Sequence, residues 1–217
     1  MSDGDRAGGR SDTRTVPAVP AERRMGVVQR VVGQLVPRRR HLRGTVYLLL
    51  DHSTSMGDPD KMTQMREGAV RFFLEAVQRG YAVGAVSFAD RAALITGASL
   101  DAHRFWRRVH ELRPYGRTAM ARALRTGTGR LNLRRGRKVL VLITDGVPDD
   151  RDGTLEAARM ARAAGITLIP IGTGNADHAF LAALAGRPEL VRHVPRAAWA
   201  EAIAEVATGL SSGRAPG

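Results

Sequence analysis

The sequence predicts an α/β domain: a doubly wound, mostly parallel sheet with one antiparallel edge strand and helices on both faces. Three observations carry this. The run VYLLL (46–50) is continuously apolar and KVLVLITDG (138–146) carries the apolar stretch VLVLI (139–143), as strands buried on both faces of a parallel sheet require. Between such runs lie stretches whose apolar residues recur at helical spacing, and strand–helix alternation builds βαβ units. Finally, YAVGAVSF (81–88) is followed after only Ala89, Asp90 and Arg91 by a second short strand at 92–96, a hairpin at a sheet edge.

After the first strand, Met62, Met65, Ala69, Phe72, Phe73, Ala76 and Val77 form one apolar stripe that ends at Gly80, which predicts a helix over about 60–79. Further helices are expected at 101–111, 118–132, 153–164, 177–186 and 196–209, with strands at 138–146, at 166–172 and near 190–194. Met62, Met65, Met120 and Met160 sit at helical core spacing and need no special role. The domain is expected to span 45–209, followed by a flexible tail at 210–217. Residues 1–44 are expected to form a disordered basic arm. Within the arm, Val27, Val28, Val31, Val32, Leu35 and Val36 share one helical face, a candidate short amphipathic helix.

Composition narrows the chemistry. The chain of 217 residues has no cysteine, so disulfides and thiolate metal sites are excluded and oxygen and imidazole remain as ligands. No apolar run approaches the ~20 residues of a membrane-spanning helix, and MSDGDRAGGRSD is too polar for a signal peptide, so a cytoplasmic location is expected. The net charge of +13 points toward anionic partners, but ten Arg against four acids within residues 1–44 supply +6 of it. The excess is nearly all Arg in a sequence dominated by Ala, Gly and Arg, which a GC-rich coding bias also produces.

Open α/β sheets bind ligands beyond the carboxyl ends of their strands, so the polar residues just after each buried run are the candidates. The first run passes directly into Asp51-His52-Ser53-Thr54-Ser55-Met56, and the run at 138–144 into Asp145-Gly146. Alternate residues leaving a strand project the same way, so Asp51, Ser53 and Ser55 bring one carboxylate and two hydroxyls toward one point. This is a donor set for a hard cation, Mg²⁺ or Mn²⁺. Taken alone, the same residues read as a polar turn capping the next helix.

DHSTSM at 51–56 resembles the D-x-S-x-S motif of von Willebrand factor A domains, their metal-ion-dependent adhesion site. GRTAM at 116–120 resembles the family's threonine loop, with Thr118 at a helix start, and TDG at 144–146 resembles its strand-end aspartate. The resemblance covers about 45–209 and implies a Rossmann-like fold. It further implies that Ser53 and Ser55 ligate a cation directly, that Thr118 does so directly or through water, and that Asp51 and Asp145 act mainly through water and hydrogen bonds. The sixth position would receive an acidic side chain from a protein partner. Stand-alone intracellular A domains of bacterial type resemble partners of AAA-type ATPases or of tellurium-resistance-like stress systems, and the VYLLLD opening is similar to the latter. Thr54 stands where the family often has glycine, and His52 is bulkier than the usual neighbour.

The nearby acids have simpler roles. Asp58 and Asp60 are expected to cap the first helix, and Asp149, Asp150 and Asp152 to form a solvated rim and a second helix cap. His52 is the one histidine placed to touch a partner or to make binding depend on pH. Two other functions compete with metal-dependent protein binding. Nucleic-acid binding through the Arg-rich arm is the alternative, although no aromatic residues stand among these arginines to stack on bases. Metal-dependent phosphoryl chemistry with Asp51 as nucleophile would need further carboxylates or a lysine, and a general acid or base, beside the cation. The chain is therefore read as a binding module without catalysis of its own.

Overall fold

A computed structural model describes residues 42–174 and 176–210. The basic arm up to His41, its candidate helix and the tail from Ser211 onward lie outside the described residues. Within them the six strands are β1 (Gly44–Asp51), β2 (Tyr81–Phe88), β3 (Ala92–Ser99), β4 (Arg137–Thr144), β5 (Thr167–Gly172) and β6 (Arg192–His193). The helices are α1 (Pro59–Gln78), α2 (Ala102–His110), α3 (Met120–Asn132), α4 (Arg151–Ala163), α5 (His178–Ala185) and α6 (Trp199–Gly209). They form one sheet in the order β3-β2-β1-β4-β5-β6, parallel except for β3, which runs antiparallel to β2. The predicted α/β architecture is therefore the observed one.

The position of β1 follows from its sequence. All eight residues of β1 are buried, and it pairs in parallel with β2 on one side and β4 on the other. Its side chains alternate between two cores. Val46, Leu48 and Leu50 face α1, α2 and α6, while Tyr47 and Leu49 face α3, α4 and α5. A run without a polar residue suits a strand with no solvent-facing side. The register pairs Asp51 with Phe88 of β2 and Leu50 with Ile143 of β4, so Asp51 ends level with Thr144.

Two capping groups set the entry to α1. Pro59 occupies its first turn and the Asp58 side chain accepts from the Asp60 N–H at 3.0 Å, as expected of that DPD sequence. Asp150 likewise caps α4, accepting from Gly153 N–H at 2.8 Å.

Some expectations need correction. Thr118 lies in a loop rather than in a helix, because α3 begins at Met120 and the Met120 N–H turns back to the Thr118 carbonyl at 2.7 Å. The edge strand runs to Ser99 rather than Thr96, because pairing with β2 continues to Ser99 across a register shift. Met160 is 57% exposed on the outer side of α4, whose core contact is made by the small residues Ala157, Ala158 and Ala161. Leu210 is not part of a loose tail: it is buried, and its carbonyl accepts from Tyr81 Oη at 2.8 Å and Arg137 Nη1 at 2.7 Å.

Gly84 illustrates how tightly the sheet faces pack. A β-carbon there would lie 2.4 Å from Cε1 of the buried Tyr47, whose hydroxyl accepts from the Ala98 N–H at 3.1 Å. Gly84→Ala is expected to displace that ring, break its link to β3 and cost about 1–3 kcal/mol. Urea unfolding with an unchanged slope and a lowered midpoint checks this; an unaltered midpoint would show that the ring moves freely.

Candidate metal centre

The candidate residues meet at the carboxyl edge of the two central strands. Asp51 closes β1 and is fully buried. Its Oδ1 accepts from the Ser53 N–H at 2.9 Å and its Oδ2 from the Thr144 hydroxyl at 2.6 Å. Burial pushes the Asp51 carboxyl up to about 6. The Thr144 and Ser53 hydrogen bonds oppose that rise and the nearby Asp145 charge adds to it.

Beyond Asp51 the chain tightens into a 3-10 turn over Thr54–Gly57, and the two serines converge as their spacing predicts. Ser53 Oγ lies 3.0 Å from Ser55 Oγ, and Ser55 Oγ donates to Asp145 Oδ1 at 2.7 Å. Ser53 and Asp145 are buried, whereas Ser55 is exposed at the mouth. Two hydroxyls, one carboxylate arm and a second carboxylate behind them therefore form one connected set, in which Ser55 and Asp145 are 90 residues apart in sequence.

Thr118 approaches from the other side of Gly146. A β-carbon at Gly146 would lie 3.4 Å from Ser55 Oγ and 3.9 Å from Thr118 Oγ1, so glycine leaves open the space that both hydroxyls face. The loop carrying Thr118 is held from two directions. On one, Thr54 donates to the Gly116 carbonyl through its N–H (3.0 Å) and its hydroxyl (2.8 Å), and the Tyr115 N–H donates to the His52 carbonyl at 2.9 Å. On the other, Asp90 Oδ1 accepts from the Arg117 N–H at 2.7 Å and the Ala89 carbonyl from the Ala119 N–H at 2.8 Å.

His52 belongs to this bracing. It is buried, its Nδ1–H donates to the Arg113 carbonyl at 2.9 Å, and its ring meets Tyr115 edge-on with centroids 5.0 Å apart. Burial holds its pKa below the ordinary histidine value, opposed by the bond to Arg113. The residues alternating with Asp51, Ser53 and Ser55 thus splay to the opposite side and pin the threonine loop. His52 and Thr54, the two departures from the family pattern, both do this.

One member of the site went unread in the sequence. Lys61, in the first turn of α1, donates its ammonium to Asp145 Oδ2 and to the Ser55 carbonyl, the latter at 3.0 Å. A cation in the first turn of a helix is disfavoured by the helix dipole, so it must find an anion elsewhere; this was the available signal. Among the described residues, no group of three or more His, Asp or Glu side chains converges on one point. The set is hydroxyl-rich instead.

Its chemistry fits a hard divalent cation. Adjacent oxygen ligands of an octahedral Mg²⁺ at about 2.1 Å lie about 3.0 Å apart. The Ser53–Ser55 hydroxyl separation of 3.0 Å has that spacing. A lysine ammonium seated on Asp145 shows independently that the pocket stabilises positive charge.

Comparison with known proteins agrees with this architecture. The mouse collagen alpha-5(VI) chain is 30% identical over 165 residues, covering 69% of this chain; this chain spans 6% of that collagen's length. The von Willebrand factor domain of the type V pilus tip protein Mfa5 from Porphyromonas gingivalis superposes with a TM-score of 0.73. That match covers 82% of this chain and 98% of that one at 13% identity. Manganese-loaded TRAP protein from Plasmodium vivax superposes with a TM-score of 0.66 at 26% identity, over 76% of this chain and 72% of that one. Domains of this kind are typically metal-dependent adhesion or protein-interaction modules and usually non-catalytic. Residues 45–208 match the von Willebrand factor type A domain, and the chain belongs to that family.

Proposed function

We propose that the domain holds Mg²⁺ or Mn²⁺ on Asp51, Ser53, Ser55, Thr118 and Asp145 and uses it to bind an Asp or Glu side chain of a protein partner. The observation that carries this reading is the connected cluster Ser53 Oγ, Ser55 Oγ and Asp145 Oδ1, backed by the buried Asp51. Ser53, Ser55 and Thr118 offer neutral oxygens, and the Asp51 oxygens are already engaged by Thr144 and Ser53. With so little anionic charge around it, a bound cation keeps much of its own and attracts an external carboxylate. Manganese loading in the Plasmodium vivax relative supports the choice of metal.

The domain is read as binding rather than catalysing: Lys61 supplies the lysine that phosphoryl chemistry would want, but both oxygens of the would-be nucleophile Asp51 are buried and engaged by Ser53 and Thr144, and the nearby imidazole is committed through Nδ1 to bracing the Arg113 backbone. We further propose an AAA-type ATPase or a tellurium-resistance-like stress system as the partner class, the VYLLLD opening being similar to A domains of the latter group, and a cytoplasmic setting, which suits a cysteine-free chain.

The test is a calorimetric titration of Mg²⁺ and Mn²⁺ into chelator-treated protein, beside an Asp51→Ala, Ser53→Ala double variant. Saturable one-site binding that disappears in the variant is expected. Failure of the wild-type protein to bind either ion would end this reading. Partner capture should then require the metal, vanish in EDTA, and be lost when the partner's acidic residue is changed to its amide.

A further inference from the structure

We propose that Lys61 is a tethered competitor of the divalent cation and sets the affinity of this site for metal. The inference rests on the metal-binding reading above and deepens it. Lys61 is fixed in the first turn of α1 by the Asp58 cap and Pro59, and Asp58 is itself held by Arg196. From there the ammonium reaches over the mouth to two partners, Asp145 Oδ2 and the Ser55 carbonyl. The Asp145 side chain is 0% exposed and the Lys61 side chain 15%, so little water screens the pair.

The competing positive charge therefore comes from within the chain, at the high effective concentration of a short tether. Asp145 is the only ionised group among the five candidate ligands whose second oxygen faces a cation rather than a hydroxyl or an N–H. A divalent ion drawing on Asp145 must share that carboxylate with the ammonium or displace it. The lysine also grips the carbonyl of Ser55, so displacing it releases the same turn that offers Ser55 Oγ. Occupancy by metal thus carries the cost of lifting Lys61, and the site fills only where the ion is abundant enough to meet it.

The test compares Mg²⁺ titrations, by calorimetry on the full chain, of the wild type, Lys61→Met and Arg117→Gln. Methionine keeps the stem and removes the charge. Arg117 neighbours Thr118, and its side chain is exposed, so its variant removes one nearby charge without touching Asp145. Lys61→Met is expected to bind Mg²⁺ at least about tenfold more tightly than wild type, and Arg117→Gln by much less. Thermal melts give a second readout that does not depend on affinity. In EDTA, Lys61→Met leaves the buried Asp145 without its counter-charge and is expected to melt about 5 °C or more below wild type, with Mg²⁺ restoring the difference. Equal or weaker Mg²⁺ binding by Lys61→Met overturns the proposal while leaving the metal site intact. Equal gains in both variants also overturn it, by showing a general field effect. Absence of binding in all three proteins removes the metal reading and this proposal together.

Discussion

Asp51→Asn is expected to make the protein more stable in EDTA at pH 8 while weakening its Mg²⁺ binding. The Asp51 carboxyl is raised from 3.8 to about 6, chiefly because it is buried. Between those two values the folded protein keeps a proton that the unfolded chain releases, so stability falls as pH rises through that window. The contribution is intact below about pH 4 and lost above about pH 6, leaving at pH 8 a penalty on the order of 3 kcal/mol. Asparagine carries no charge to desolvate. Its Oδ1 keeps the bond from the Ser53 N–H, its amide donates to Thr144 Oγ1, and repulsion with Asp145 disappears. A rise in melting temperature of roughly 6–10 °C in EDTA at pH 8 is therefore expected, shrinking toward zero near pH 4. Mg²⁺ affinity should fall by about one to two orders of magnitude. A variant less stable than wild type at pH 8 in EDTA would show that Asp51 sits comfortably ionised in the fold, contrary to this account.

The opposed effects expected of Asp51→Asn correspond to a poorly solvated carboxylate at the end of the central strand, at a cost in stability that the Thr144 and Ser53 hydrogen bonds offset in part and the proposed cation would offset further. Strain of this kind concentrates at functional sites. It also explains which parts of the molecule were legible in the sequence. VYLLL announced a strand with no exposed face, and the alternation in DHSTS announced which side chains would converge, because both depend on local periodicity. The contact between Lys61 and Asp145 spans 84 residues and that between Thr144 and Asp51 spans 93, and no local pattern encodes either. The same holds for His52 and Thr54. Their alternation with the donor residues was visible, but that they brace the threonine loop depends on where residues 113–117 pass. Met160 misled because its helix spacing matched the core, while Ala157, Ala158 and Ala161 had already filled the contact with the sheet.

Thr144 is the residue through which the fold and the site are most closely coupled, and Thr144→Val is the sharpest test of that coupling. Its hydroxyl is fully buried, donates to Asp51 Oδ2 at 2.6 Å and accepts from the Gly146 N–H at 3.2 Å. Valine preserves the shape but removes both hydrogen bonds at once and leaves their partners unpaired. Asp51 then loses the largest of the hydrogen bonds opposing its raised pKa, and the Gly146 N–H beside the site loses its acceptor. Leaving buried polar groups unpaired costs about 1–3 kcal/mol each, so a loss of about 2–4 kcal/mol is expected in urea unfolding at pH 8. The penalty should shrink at pH 4, where a protonated Asp51 needs the donor less. Gly146 would no longer be anchored between Ser55 Oγ and Thr118 Oγ1, so Mg²⁺ affinity should fall by about tenfold or more even though no proposed ligand has changed. The double variant with Asp51→Asn separates the contributions. If Thr144 acts through the Asp51 charge, its substitution costs less in the asparagine background, with a coupling energy above about 1 kcal/mol. Strict additivity of the two substitutions would mean that Thr144 supports the Gly146 turn alone, and that the buried carboxylate is stabilised by other groups.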